Sequence, residues 1–191
     1  MNRNRNPQNC TTCVTENPVE TGAIFDATGC YRYSLWRSWD EQSARVGFVM
    51  LNPSRADAMV NDPTIRRCIS FAQLWGFGSL EVVNLFAYRT VHPAELRHAP
   101  DPIGPENDRY LATLGQRVDQ LVLAWGNEGR WQSRNAAAIL LLGDRLPALC
   151  LGITRLGQPK HPLYVRRDTP LQQLSEVSCC ATFSLPRVPA G

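Results

Sequence analysis

Four continuous apolar runs, separated by helix-patterned stretches, constrain this chain more than any other feature. They are "VGFVML" (46–51), "LEVVNLF" (80–86), "DQLVLAWG" (119–126) and "ALCLGI" (148–153). None alternates apolar with polar residues, so each reads as a strand buried on both faces, the habit of a parallel sheet. The stretches between them carry a period of 3.6. In "DPTIRRCISFAQLWG" (62–76), Asp62 caps, Pro63 opens the first turn, and Gly76 stops the helix. Ile65, Ile69 and Ala72 fall on one face with Cys68 beside them. Helices are also predicted over 105–118 and over 133–146, the latter with Leu140 and Leu141 toward the sheet. The expected fold is a three-layer α/β/α domain with a four-stranded, largely parallel sheet. "AIFDATGCYRYSLWRSW" precedes it and reads as a β-hairpin, in which Tyr31, Tyr33 and Leu35 alternate with Arg32 and Ser34 as on a half-buried strand. Residues 1–20 read as a mobile arm, 21–175 as a single α/β domain and 176–191 as a tail.

In open parallel sheets the site lies beyond the carboxyl ends of the strands. There the chain places Asn52-Pro53-Ser54, Asn84, Trp125-Gly126-Asn127 and His161-Pro162. Amides offer a donor and an acceptor side by side, which suits the edge of a nucleobase, and an imidazole can steady an anion on a leaving group. Each residue also has a plainer reading. Asn52 before Pro53 can form an Asx turn, and His161 can be a satisfied loop histidine. Asp57 and Asp62 can be helix-entry carboxylates. "FAYRT" can be a core aromatic followed by a solvated arginine. Asn84 is harder to set aside, because it interrupts "VVNLF" where an apolar residue packs better.

Other chemistries lack their motifs. No GxGxxG or phosphate-cradling loop follows the first strand, no Ser sits in a GxSxG elbow, and His92, His98 and His161 form no metal-ligand pattern. Seven cysteines include one CxxC, Cys10 and Cys13, without a second pair at ligand spacing. No metal or cofactor is therefore expected, with zinc or an iron–sulfur cluster at Cys10 and Cys13 as the alternative. Cys68 and Cys150 read as small core residues. The net charge of +3 is carried almost wholly by arginine, since Lys160 is the one lysine. Guanidinium groups suit phosphate, although an arginine-rich composition has compositional causes too. No apolar run reaches the length of a membrane span, and the polar opening "MNRNRNPQN" leads to the expectation of a cytoplasmic protein, favoured as a monomer.

"FVMLNPSRADAMVNDPTIRRC", "VVNLFAYRTVHPAEL", "DPIGPENDRYL", "LVLAWGN" and "GQPKHPLYV" together resemble a bacterial and phage family of unknown function, over roughly residues 22–167. Their order is also similar, more distantly, to the uracil-DNA glycosylase superfamily. That resemblance implies a DNA partner, an extruded base that is damaged or modified, and hydrolysis of its N-glycosidic bond. It makes Asn52 the holder of the attacking water and His161 the group that steadies the departing base. It sets Asn84, with Pro53, Ser54 and Phe86, against the base. Leu163 and Tyr164 would fill the vacated stack, and Arg89, Arg155 and Lys160 would contact phosphates. The chain departs from the superfamily pattern where Asn52 replaces an aspartate, so activation of water would fall to Asp57 or Asp62. Leu163-Tyr164 stands where Ser-Pro-Leu-Ser is usual, and only Cys10 and Cys13 resemble the cysteines of the iron–sulfur branches. Two other functions remain open: a hydrolase acting on a free nucleoside or nucleotide, and a non-catalytic reader of modified bases.

Overall fold

The computed structural model describes residues 20–174. In chain order its regular elements are β1 (Glu20–Phe25), β2 (Arg32–Ser38), β3 (Arg45–Met50), α1 (Pro63–Leu74), β4 (Ser79–Asn84), α2 (Asn107–Thr113), β5 (Gln120–Leu123), α3 (Arg134–Leu142), β6 (Ala148–Cys150) and β7 (Gln172–Gln173). The seven strands form one mixed sheet, ordered β1-β2-β4-β3-β5-β6-β7. The four apolar runs are its centre, where β4, β3, β5 and β6 pair in parallel.

The fold is α/β, with a larger and more mixed sheet than the four strands expected. The predicted hairpin is not an appendage. Its second strand pairs antiparallel with β4, from Ser38 opposite Ser79 to Leu35 opposite Val82, and so covers a row of backbone donors and acceptors that would otherwise form an edge. At the far side β7 pairs antiparallel with β6. Both faces of the centre are covered by apolar side chains. Phe48 and Met50 of β3 share a cluster with Ile65, Cys68 and Phe71 of α1. Val49, between them, joins Leu111 of α2 and Ala138 of α3 on the opposite face. This double burial is why the central runs do not alternate.

Several local expectations are corrected. Of the two leucines expected toward the sheet in the third predicted helix, Leu141 packs against the core beside Ala138 and Leu142, while Leu140 is 83% exposed. The predicted helix over 105–118 is α2 followed by a tighter 3-10 turn, Leu114–Gln116. β2 is not half-buried, for Arg32, Ser34, Arg37 and Ser38 are buried beside Tyr33 and Leu35. An internal strand with elements on both faces has no solvent side. Cys68 and Cys150 are buried core residues as expected, and burial pushes both thiols up. The predicted arm with Cys10 and Cys13, apart from Glu20, and the tail 176–191 lie outside the described residues.

One irregularity in β2 matters for the site. Its pairing with β1 runs in step to Ile24 opposite Ser34 and then jumps to Phe25 opposite Arg32, leaving Tyr33 as an extra residue. Such a bulge re-aims the side chains beyond it. Tyr33 stacks on Tyr110 of α2, with ring centroids 5.1 Å apart. Arg32 is thereby turned to the other face, where its Nη1 donates to the carbonyl oxygen of Ala56, 2.8 Å away.

Candidate functional site

A cleft of about 540 Å³ opens beyond the carboxyl ends of the parallel strands. β3 is flanked by β4 on one side and β5 on the other. The chain reverses its direction of travel across the sheet there, the topological position at which open α/β sheets bind ligands. Asn52, Asn84 and Asn127, at or just past the ends of β3, β4 and β5, and His161, in the loop after β6, all line this one cleft.

Asn84 is the last residue of β4, opposite Met50, and is 1% exposed. Its Nδ2 is buried and has no acceptor among the described residues. The backbone around it is held from behind: Asn107 Nδ2 donates to the carbonyl oxygens of Asn84 (3.0 Å) and Leu85 (2.9 Å), and Arg134 Nε donates to that of Leu85 (2.7 Å). The strand end is thus rigid while its side-chain donor is left unused, an arrangement that costs stability unless a ligand completes it.

Asn52 has spent both of its amide hydrogens. Nδ2 donates to the carbonyl oxygens of Pro53 (3.0 Å) and Thr90 (2.8 Å). An aspartate there would set a carboxylate against two carbonyl oxygens, which accounts for the amide at this position. Its remaining function is that of an acceptor at Oδ1. Asp62 caps α1 through Oδ1, which accepts from the Ile65 amide at 2.8 Å, and its buried carboxylate also lines the cleft.

His161 opens the 3-10 turn Pro162–Tyr164, and its Nδ1 accepts from the Leu163 amide at 3.3 Å. That bond assigns the neutral tautomer, with the proton on Nε2. Burial lowers its pKa to about 4, against the opposing pull of Asp62. Arg67 of α1 secures the turn, donating to the carbonyl oxygens of Pro162 (3.3 Å) and Val165. Leu163 and Tyr164 sit at the mouth, 43% and 84% exposed, with Lys160 nearby in the lining. Trp125 forms part of the wall and donates to Gln158 Oε1 at 3.0 Å.

Of the other candidates, Ser54 lines the cleft. Asp57 does not: its Oδ1 accepts from the amides of Met59 and Val60, both 2.8 Å away, so it closes a turn, and those bonds lower its pKa. Phe86 lies in the core on the α2 and α3 side and packs on Trp131 at 5.0 Å, because the chain turns after Asn84. Pro53 is buried behind the cleft and accepts the Thr90 amide through its carbonyl oxygen. Arg89 is tied to the hairpin, donating to the Gly29 carbonyl oxygen at 2.9 Å and lying 4.8 Å from the Phe25 ring centroid. Arg155 is exposed just outside the lining, in the loop that follows Thr154.

Sequence reasoning missed the arginines of β2. Arg37 is fully buried and donates to Asn61 Oδ1 (2.8 Å) and to the Asp57 carbonyl oxygen (2.6 Å). With Arg32 it stitches down the polar loop between β3 and α1. Alternation with tyrosines made Arg32 look solvent-facing, and Arg37 was not singled out. Among the described residues no cluster of His, Cys, Asp and Glu is arranged to hold a metal ion, and no helix is long and apolar enough to cross a membrane.

The depressed pKa of His161 has a measurable consequence. The unfolded chain binds that proton near pH 6.5 and the folded protein near pH 4. The contribution to stability is therefore complete above pH 6.5 and is lost as pH falls toward 4. Between pH 7.5 and 4.5, urea unfolding is expected to show a loss on the order of 2–3 kcal/mol that His161→Asn does not share.

A protein-family model described as protein of unknown function (DUF1643) matches residues 32–163. No curated protein and no solved structure matches the chain.

Proposed function

We propose a function for a chain that belongs to the DUF1643 family: its cleft receives a nucleobase swung out of DNA and hydrolyses the N-glycosidic bond, in an architecture of three layers around four parallel strands that resembles the uracil-DNA glycosylases. The observation that carries this reading is Asn84, a rigidly held and almost wholly buried amide whose donor is unused at the end of a core strand. A planar ligand edge with an adjacent acceptor and donor answers such a group in one contact. The exposed pair Leu163 and Tyr164 at the mouth supports a DNA substrate, since extruding a base leaves a gap that an apolar side chain can fill.

The chemistry follows from the groups in the lining. A water accepts orientation from Asn52 Oδ1 and gives its proton to Asp62 as its oxygen bonds to the anomeric carbon. The carbon–nitrogen bond breaks and the electron pair leaves with the base. His161, neutral at physiological pH, donates Nε2–H to the negative charge developing on the base. The base then takes a proton from solvent.

A panel of duplexes carrying damaged and modified bases, scored for abasic sites, tests the reading directly. Release from free nucleosides alone would replace DNA by a small-molecule substrate. Tight binding without release on any member would make the protein a reader. Asn84→Ala is expected to weaken binding of the target base by about 1–3 kcal/mol. Lys160 and Arg155 make no ion pair among the described residues. Changing either to alanine should weaken binding to every duplex and flatten the salt dependence by about one unit.

A further inference from the structure

Arg32 is the buried cleft group that this chemistry leaves unused. It is 2% exposed and lines the cleft, where the bulge at Tyr33 directs it. Nη1 is bound to the Ala56 carbonyl oxygen, but Nε is buried with no acceptor, and Nη2 makes no hydrogen bond among the described residues. No carboxylate there comes within ion-pair distance of it. Burial and the neighbouring Arg89 and Arg37 lower its pKa to about 10, with Asp62 and Asp57 opposing, so the charge persists at neutral pH. The other ionic groups of the lining do not cancel it. Lys160 adds a second cation, and Glu128 is already answered by Arg97 at 2.9 Å. Asp62 remains, its carboxylate shared with the cap of α1. A desolvated cation with open donors and no direct counter-ion favours a ligand that brings the anion.

We propose that Arg32 is an anion-holding subsite on the floor of the cleft, and that the base it selects carries a negative charge, as a carboxylated pyrimidine does. The proposal rests on the nucleobase reading of the cleft. The free Nε and Nη2 edge of the guanidinium matches the two oxygens of a carboxylate, a geometry that a neutral ring substituent does not satisfy.

Titration calorimetry on the full chain at pH 7, with uracil, 5-carboxyuracil, its neutral methyl ester and inorganic phosphate, tests this. The expected result is that 5-carboxyuracil binds at least about tenfold more tightly than uracil or the ester. Arg32→Gln should bring the three bases to within about twofold of one another while uracil binding is retained. The comparison of acid with ester uses the unaltered protein, so it decides even if the variant does not fold. Equal binding of acid, ester and uracil overturns the subsite and leaves the nucleobase reading standing. Phosphate bound by the wild type but not by Arg32→Gln, with no base bound, retains the anion subsite and overturns the nucleobase reading. Binding of neither bases nor phosphate overturns both.

Discussion

Asp62→Asn is expected to slow base release by about 10²- to 10⁴-fold while leaving the protein folded and the base bound. The substitution separates the cap that Asp62 supplies from the proton acceptor that the proposed chemistry asks of it. As a cap, Asp62 accepts the Ile65 amide at 2.8 Å, and asparagine caps helices about equally well. As a base, it must take a proton, which an amide cannot do. Single-turnover release on a confirmed substrate, read beside equilibrium binding and a urea midpoint, distinguishes the two. A variant that keeps the wild-type rate would show that the carboxylate only starts the helix. The change also removes the attraction that works against burial at His161, so the imidazole stays neutral and the donor role proposed for it is undisturbed.

For His161→Asn the expected loss is about 10²- to 10³-fold in the chemical step, with base affinity changed little. Asparagine is a good acceptor at the start of a helical turn, so the bond from the Leu163 amide has a replacement, whereas the Nε2–H donor does not. The pH profile sharpens the test. A histidine acting while neutral, with its pKa near 4, leaves the rate flat through the range where an ordinary histidine titrates. A rate that rises with protonation around pH 6.5 would mean that imidazolium is the active form and would reject the neutral ring as the donor.

The parts legible in the sequence were those with a single physical meaning. A continuous apolar run has to be covered on both faces, and an Asp-Pro before a periodic stretch has to open a helix. An amide inside a core strand needs a partner, so Asn84 stood out, and the sheet's topology gathered Asn52, Asn127 and His161 around it. The misreadings fall where one pattern has two meanings. Arg32 alternates with tyrosines as a solvent-facing residue would, and nothing in "YRYSL" announces the extra residue that redirects it. Asp57 and Asp62 both lie in the polar loop after β3, and each uses backbone amides locally. Phe86 and Arg89 lie past a strand end, where no period tells the core from the cleft. β7 is two glutamines long and carries no pattern at all.

The arginines of β2 also bear on the order in which the site can form during synthesis. β2 leaves the ribosome before the loop that Arg32 and Arg37 hold, but inside the sheet it is fastened by β4, through Leu35 opposite Val82 and the neighbouring pairs. An isolated hairpin is marginal in water. A nascent chain that ends before Ser79 would thus own β3 and α1 but lack the strand that anchors their clasp. The loop would close only when the segment ending in Asn84 arrives, so the Asn52 and Asn84 sides of the cleft would form together, ahead of the later segments that carry Asn127 and His161.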